Sequence, residues 1–227
     1  MQTVIFCGHP DLSESGSHQF MKAAVPKEIP FIEMAEHMDS AMIQAAQQQV
    51  LAAKRIFLQF PLYWYQAPGV VSNWITAVLT DDFLDNYHHH LQGKELGVLI
   101  SIGVPLKHYR DGGREDVTLS ELLSPYKTLA HALGMTYLPP FILEQHGYST
   151  DRMKRYQLIA FKEHLDLPAN PTFSQRSHWL VQQLQSIANE KGDNYPGLPL
   201  QLIADEWKER LDDLAMIERD LPKSSWR

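Results

Sequence analysis

Two rhythms of apolar positions run along this chain. Short, mainly apolar runs at Gln2–Cys7, Ile56–Phe60 and Glu95–Ile102 have the length and makeup of strands buried on both faces. Between them the spacing changes. Val70, Val71, Trp74, Ile75, Val78 and Leu79 fall at i, i+1, i+4, i+5, i+8 and i+9, the stripe of an amphipathic helix. Pro61 has no N–H for a ladder bond, so the strand before it should end there, and Pro68 fits the first turn of the helix. Weaker signals fill the rest. A short helix runs from Ser17 to Val25, an edge strand follows at Ile29–Met34, and Asp39 or Ser40 caps a helix reaching towards Lys54. One helix is expected from Thr118 through Leu133 with Gly134 as its C′ residue, then a last strand, Met135–Leu143, interrupted by Pro139-Pro140. Asp151–Leu165 reads as a closing helix with Met153, Tyr156, Ile159, Ala160, His164 and Leu165 on or near one face.

Between these elements, Thr80–Asp85 reads as helix-end and loop charges, and Asn86–His90 as a loop. Three adjacent imidazoles cannot all face one ion, so His88, His89 and His90 are not expected to bind metal. Past residue 167, Pro168, Asn170 and Pro171 mark a linker. Two amphipathic helices, Ser177–Asn189 and Leu200–Glu218, then make a C-terminal extension, giving domains of 1–167 and 168–227. Their apolar stripes (Trp179, Leu180, Leu184 and Ile187; Leu202, Ile203, Trp207, Leu211, Leu214 and Ile217) must bury against something.

Composition adds mainly exclusions. A net charge of −7 over 227 residues leaves no electrostatic footprint for nucleic acid. A single cysteine excludes an internal disulfide framework, no apolar run approaches a membrane span, and the N-terminus lacks the layout of a leader. The expectation is a cytoplasmic protein, or one peripheral at the inner face of the membrane.

Four segments carry candidate chemistry, each at the end of a strand, where ligands bind in open α/β sheets. Gly8-His9-Pro10 leads into a loop with the hydroxyls of Ser13, Ser15 and Ser17, which opens a helix and suits a phosphate. Leu62-Tyr63-Trp64-Tyr65 puts three aromatics where a connection is usually polar, suiting a flat ring system. Gly103 to Gly113 forms the third loop, and His146-Gly147-Tyr148 is either a substrate-side wall or a surface loop.

The stretch FPLYWYQAPGVVSNWITAVLT closely resembles the flavin-contacting segment of the flavodoxin-like NAD(P)H:quinone oxidoreductases. That family also includes ancillary subunits of glutathione-gated potassium efflux systems. Pro61, Leu62, Trp64, Tyr65, Pro68, Val71, Trp74, Ile75 and Val78 match, while Ser72 and Thr76 depart. His9, Pro10 and Ser15 match the family's phosphate loop, with His18 where Asn is usual. Gly103 and Tyr109 match the loop approaching the flavin ring, where Ser101 and Ile102 replace paired Thr and Val104 replaces Gly. Pro139-Pro140-Phe141 matches a further block, so the resemblance spans roughly residues 1 to 167.

The resemblance implies a flavodoxin-like α/β three-layer sandwich with a five-stranded parallel sheet of order 2-1-3-4-5. It also implies bound FMN or FAD, FMN favoured, with NAD(P)H as co-substrate and a quinone or similar acceptor. Hydride would pass in ping-pong fashion. The implied cofactor contacts are His9, Ser15, Ser17, His18, Pro61, Leu62, Tyr63, Trp64, Tyr65, Ser101, Ile102, Gly103 and Val104, with Tyr109 and His108 as catalytic donors. A homodimer sharing its pockets, partly sealed by Tyr63 and Tyr65, is expected. The competing expectation is a regulatory ancillary protein of a membrane transporter, with flavin structural or absent. Val104 and the C-terminal helices are the features favouring it.

Overall fold

The computed structural model describes residues 2–191 and 199–220; segments 192–198 and 221–227, part of the expected C-terminal extension, lie outside the described residues. The chain divides into two compact units, Met1–Leu165 and Asp166–Arg227.

Six parallel strands form the sheet of the first unit: β1 (Thr3–Cys7), β2 (Phe31–Glu33), β3 (Arg55–Pro61), β4 (Glu95–Ile102), β5 (Thr136–Tyr137) and β6 (Phe141–Glu144). Their order is β2-β1-β3-β4-β5, with β6 also pairing β4. The expected fifth strand is therefore two pieces, because Pro139 and Pro140 have no N–H to offer β4. β3 runs one residue further than expected. Pro61 stays opposite Ser101 without costing a bond to β4, because it faces β1 as Gln59 does, whose carbonyl accepts the Gly8 N–H at 2.8 Å. The next rung to β4 is the Leu62 N–H, which reaches the Ser101 carbonyl at 3.0 Å.

Seven helices accompany this sheet among the described residues: α1 (Gly16–Ala24), α2 (Ser40–Ala52), α3 (Gly69–Val78), α4 (Asp81–Leu91), α5 (Leu119–Leu122), α6 (Ser124–Ala132) and α7 (Asp151–Asp166). Strand side chains alternate between two faces. On one face Val4, Phe6, Leu58, Val98 and Ile100 join a single core with Val50, Trp74, Phe83 and Ala130 of α2, α3, α4 and α6. On the other, Phe57 meets His164 of α7 at 5.5 Å between ring centroids, and Phe141 meets Phe161 at 5.2 Å. Arg55, 1% exposed, ties this layer together. Its Nε pairs with Glu95 Oε2 at 2.7 Å and its Nη1 donates to the Leu165 carbonyl at 2.8 Å. Gly8 sets how closely β1 meets α3: a Cβ there would lie 2.3 Å from Val71 Cγ2. That close approach puts the loop after β1 beside the aromatic segment.

Three expectations need correction. Asn86–His90 is no loop but the last half of α4. Thr80 caps that helix by accepting the Phe83 N–H at 3.2 Å. Asp81 and Asp82 in the first turn and His88–His90 in the last complement its dipole. Next, the helix expected from Thr118 breaks at Leu123, because Pro125 can only join a helix in its first turn and so restarts it as α6. Its two ends are as expected: a capping box of Thr118 and Glu121, and Gly134 at φ +67°. Finally, α7 buries Phe161 and Leu165 while Met153, Tyr156 and Ile159 are exposed.

In the second unit α8 (Phe173–Lys191) and α9 (Leu200–Asp220) pack through Val181, Leu184, Ala204 and Leu211. Trp179 is buried there, its indole N–H donating to Asp166 Oδ2 at 2.8 Å. Leu202, Trp207, Leu214 and Ile217, on the stripe expected to bury against the domain, a partner subunit or another protein, are exposed in the single chain. No helix among the described residues is long and apolar enough to cross a membrane.

Candidate active site

Ends of β1, β3 and β4 converge on one open cleft of about 970 Å³. Its first wall is the loop after β1. Asp11 Oδ1 accepts from the Ser13 N–H (3.1 Å), the Ser13 hydroxyl (2.6 Å) and the Glu14 N–H (3.4 Å), which folds the loop back on itself. Ser15 then caps α1 by accepting the His18 N–H at 3.4 Å, and its hydroxyl lies 3.2 Å from that of Ser17. First-turn N–H groups have no helical acceptor, so Gly16 and Ser17 present backbone donors beside these two hydroxyls.

His9 is locked in one tautomer. Its Nδ1 accepts the Asp11 backbone N–H at 3.0 Å, so the neutral ring carries its proton on Nε2 and donates to the Tyr63 hydroxyl, 3.2 Å away. Burial, outweighing the nearby Asp11 carboxylate, lowers the pKa of this imidazole. The Tyr63 proton is thereby left free to point elsewhere.

The second wall is the aromatic segment, a two-residue reverse turn. Tyr63 and Gln66 exchange backbone hydrogen bonds at 2.9 and 3.0 Å, and the residues between them, Trp64 and Tyr65, have φ of +48° and +66°. Both signs are those of a type I′ turn, which ordinarily takes Asn-Gly. Two bulky aromatics in left-handed backbone are strained, a condition that concentrates at functional sites. Side chains hold the strained turn at both ends. Tyr63 is tied to His9, and the Tyr65 hydroxyl donates to Glu115 Oε2 at 2.8 Å, which raises the phenol pKa. Trp64 stands between these ties, 89% exposed.

The third wall follows β4: Ser101, Ile102, Gly103 and Val104. Neither Gly103 nor Val104 has positive φ, so a β-branched residue at 104 leaves the path of this loop unstrained. Tyr109 also lines the cleft, its phenol pKa raised first by burial and then by the Glu115 carboxylate. Opposite stands the turn after β6. There Gln145 is left-handed (φ +44°), and His146 stacks on Phe20 at 4.4 Å while its Nδ1 lies 2.9 Å from Gln157 Oε1.

A family model described as a flavodoxin-like fold matches residues 1–165. This chain belongs to that family. Among relatives, the uncharacterized NAD(P)H oxidoreductase YdeQ of Bacillus subtilis (strain 168) is 32% identical over 193 residues, covering 82% of this chain and 97% of that protein. The glutathione-regulated potassium-efflux system ancillary protein KefG of Cronobacter sakazakii (strain ATCC BAA-894) is 26% identical over 149 residues, covering 63% and 80%. Among solved structures, the NADPH-quinone reductase from P. pentosaceus superposes with a TM-score of 0.69 at 31% identity, covering 74% of this chain and all (100%) of that one. General stress protein 14 of Treponema denticola, solved in complex with FMN, shares the fold at TM-score 0.61 and 23% identity, covering 73% and 96%.

Within the flavodoxin-like unit, His9, Ser15, Ser17, Pro61, Leu62, Tyr63, Trp64, Tyr65, Ser101, Ile102, Gly103, Val104 and Tyr109 all line this cleft. Two expected residues do not. His108 sits in the short 3-10 turn Leu106–His108 beside the cleft, and His18 is fully buried below it. His146, Gly147 and Tyr148 line the cleft, and Tyr148 is at the same time 84% exposed at the surface. Sequence reasoning missed Asp11, Glu14, Arg114, Glu115 and Gln145. Only Arg114-Glu115 offered a signal, as a charged pair in an otherwise glycine-rich loop. Its partner Tyr65 is 50 residues away and no local pattern connects them.

Proposed function

We propose that this protein is a flavin-dependent NAD(P)H oxidoreductase that reduces a small acceptor of the quinone class. One observation carries the reading: a single cleft has neutral phosphate donors at one end and an exposed, held indole at the other. The donor set fits FMN. Ser15, Ser17 and the N-terminus of α1 offer hydroxyls and N–H groups for one phosphate. A second phosphate would meet the carboxylates of Asp11 and Glu14, which line the same wall, so FMN is favoured over FAD. The ring would lie against Trp64 and the Ser101–Val104 segment.

When bound, the flavin supplies hydride acceptance from NAD(P)H and donation to the acceptor in separate half-reactions. The residues of this chain bind, orient and donate. Tyr109, kept protonated by its raised pKa, is the proposed donor to negative charge developing on an acceptor oxygen. Trp64 and Tyr65 hold flat molecules in place, and Tyr63 offers its free hydroxyl proton. His108 stands beside the cleft rather than on its lining, so Tyr109 is the favoured donor of the two. We further infer a homodimer acting in the cytoplasm, its partner covering the open mouth beside Trp64 and Tyr148.

A second reading, an ancillary subunit docked on a membrane transporter, rests on the exposed Leu202, Trp207, Leu214 and Ile217 of α9 and on the likeness to KefG. The deciding experiment is chromatography of the chromophore released from purified protein, followed by steady-state NAD(P)H oxidation with a benzoquinone. FMN and parallel double-reciprocal lines are expected. Calorimetry showing no uptake of FMN or FAD at saturation would reject the redox reading. Colourless, inactive protein whose α9 surface binds transporter would establish the second.

A further inference from the structure

Beneath the cleft floor runs a buried polar chain that the chemistry above does not use. His18 has no exposed surface, yet its neighbour Ser17 lines the cleft. Its Nε2 lies 3.0 Å from Ser101 Oγ, and its Nδ1 lies 2.9 Å from Gln59 Nε2 and 4.0 Å from Cys7 Sγ. Gln59, on β3, is also fully buried, while Ser101 at the end of β4 opens on the cleft.

The direction of each bond follows from what each atom is able to do. An amide nitrogen only donates, so Nδ1 of His18 must be the lone-pair nitrogen. Burial, and after it the adjacent His9, pushes the His18 pKa down to about 3, so the ring is neutral at ordinary pH. Its single proton then sits on Nε2 and is donated to Ser101 Oγ. Ser101 receives rather than gives within the chain, and its own proton is left for the cleft. Turning the Gln59 amide over would reverse every bond. As drawn, the atom without a partner is the carbonyl oxygen Oε1. Reversal would strand an NH₂ group instead, and orphaned buried donors are rarer than under-satisfied carbonyl oxygens.

We propose that His18 is a positioning residue: held by Gln59, it fixes the Ser101 hydroxyl as a hydrogen-bond donor aimed at the redox ring. This rests on the flavin reading and changes the role of His18 from a cofactor contact to a support acting through another side chain. It also explains why a histidine is accommodated one residue past the phosphate donors, since its ring points away from them into the sheet.

Two measurements test it. In ligand-free full-length protein labelled with ¹⁵N-histidine, the His18 ring is expected as the Nε2–H tautomer and unchanged between about pH 5.5 and 8. An Nδ1–H tautomer would overturn the proposal. FMN titrations and flavin midpoint potentials are then compared for S101A, H18N, H18Q and the S101A/H18N double variant. S101A and H18N should each weaken FMN binding about fivefold to tenfold, the scale of one hydrogen bond, and move the potential the same way. H18Q places an amide donor near the Nε2 position and should restore both. The double variant should be no worse than S101A alone. Wild-type affinity and potential in S101A and H18N, or additive losses in the double variant, would overturn this inference alone. Wild-type protein that takes up neither FMN nor FAD would overturn the flavin reading with it, and the tautomer measurement needs no flavin.

Discussion

Replacing Trp64 with asparagine should make the ligand-free protein more stable and worse at its work. The indole is 89% exposed, so removing it gives up almost no buried area. Its backbone, at φ +48°, is strained for a tryptophan, and left-handed backbone costs an ordinary L-residue about 1–2 kcal/mol. Asparagine tolerates that region and is a preferred first residue of a type I′ turn. A gain of about 1 kcal/mol is expected, or about 2–4 °C in melting temperature for a chain of this size. Trp64→Gly should gain less, since glycine's freedom in the unfolded chain takes back about 0.5–1 kcal/mol. Trp64→Phe keeps both ring and strain and should leave stability unchanged. Urea unfolding of flavin-free protein measures the first effect. FMN titration measures the second, where losing the stacking surface should weaken binding by about 0.5–1.5 kcal/mol. A less stable Trp64→Asn would refute the strain argument, and undiminished FMN affinity would refute the platform.

Acid should destabilise the fold through two histidines. Burial, and after it the neighbouring His9 and Arg55 respectively, pushes His18 and His164 down to about 3 and about 4. Because the folded pKa is the lower one, this stability is full above the unfolded value and is lost as pH falls from about 6.5 towards those values, by about 1.4 kcal/mol per pH unit for each. Urea unfolding at pH 7.5 and 5.5 should therefore differ by about 3 kcal/mol from these two groups, and His164→Leu should remove about half of it; equal stabilities at the two pH values would contradict their neutral burial. Arg55→Ala leaves Glu95 and the Leu165 carbonyl without their buried partner and should cost about 3–5 kcal/mol by denaturant titration, with a loss under about 1 kcal/mol counting against the tie. Gly8→Ala forces a methyl group against Val71 and should cost about 1–3 kcal/mol; an unchanged midpoint would mean that α3 moves aside freely.

Much of this architecture was legible because the central strands β1, β3 and β4 are short, mainly apolar runs and the loops after them carry recognisable residues. Ile56–Phe60 and Glu95–Ile102 announce buried parallel strands, and the expected cofactor positions sit at their ends. Helix α4 escaped because its tail is three histidines, although Thr80 with Asp81 and Asp82 is an ordinary helix start. The exposed stripe on α7 misled because a period of apolar residues reveals a face without saying whether anything covers it. His18 was placed correctly in the chain and wrongly in space. Its position after Ser17 was visible, but the inward turn of its ring depends on Gln59 and Ser101, which lie 41 and 83 residues away. The same holds for the Tyr65–Glu115 tie, which two distant loops make only once the sheet has formed.

The paired prolines between β5 and β6 have an effect far from the cleft. Outer strands of a sheet offer unpaired backbone groups on which other chains add, the usual start of fibrous aggregation. Here one margin is interrupted by Pro139-Pro140, and the opposite one, β2, is three residues long with Pro30 just ahead of it. Neither margin gives a foreign strand enough consecutive partners to hold on. A sheet with so apolar an interior is thereby kept from growing sideways, and replacing Pro139 and Pro140 with valine would remove that protection from one side.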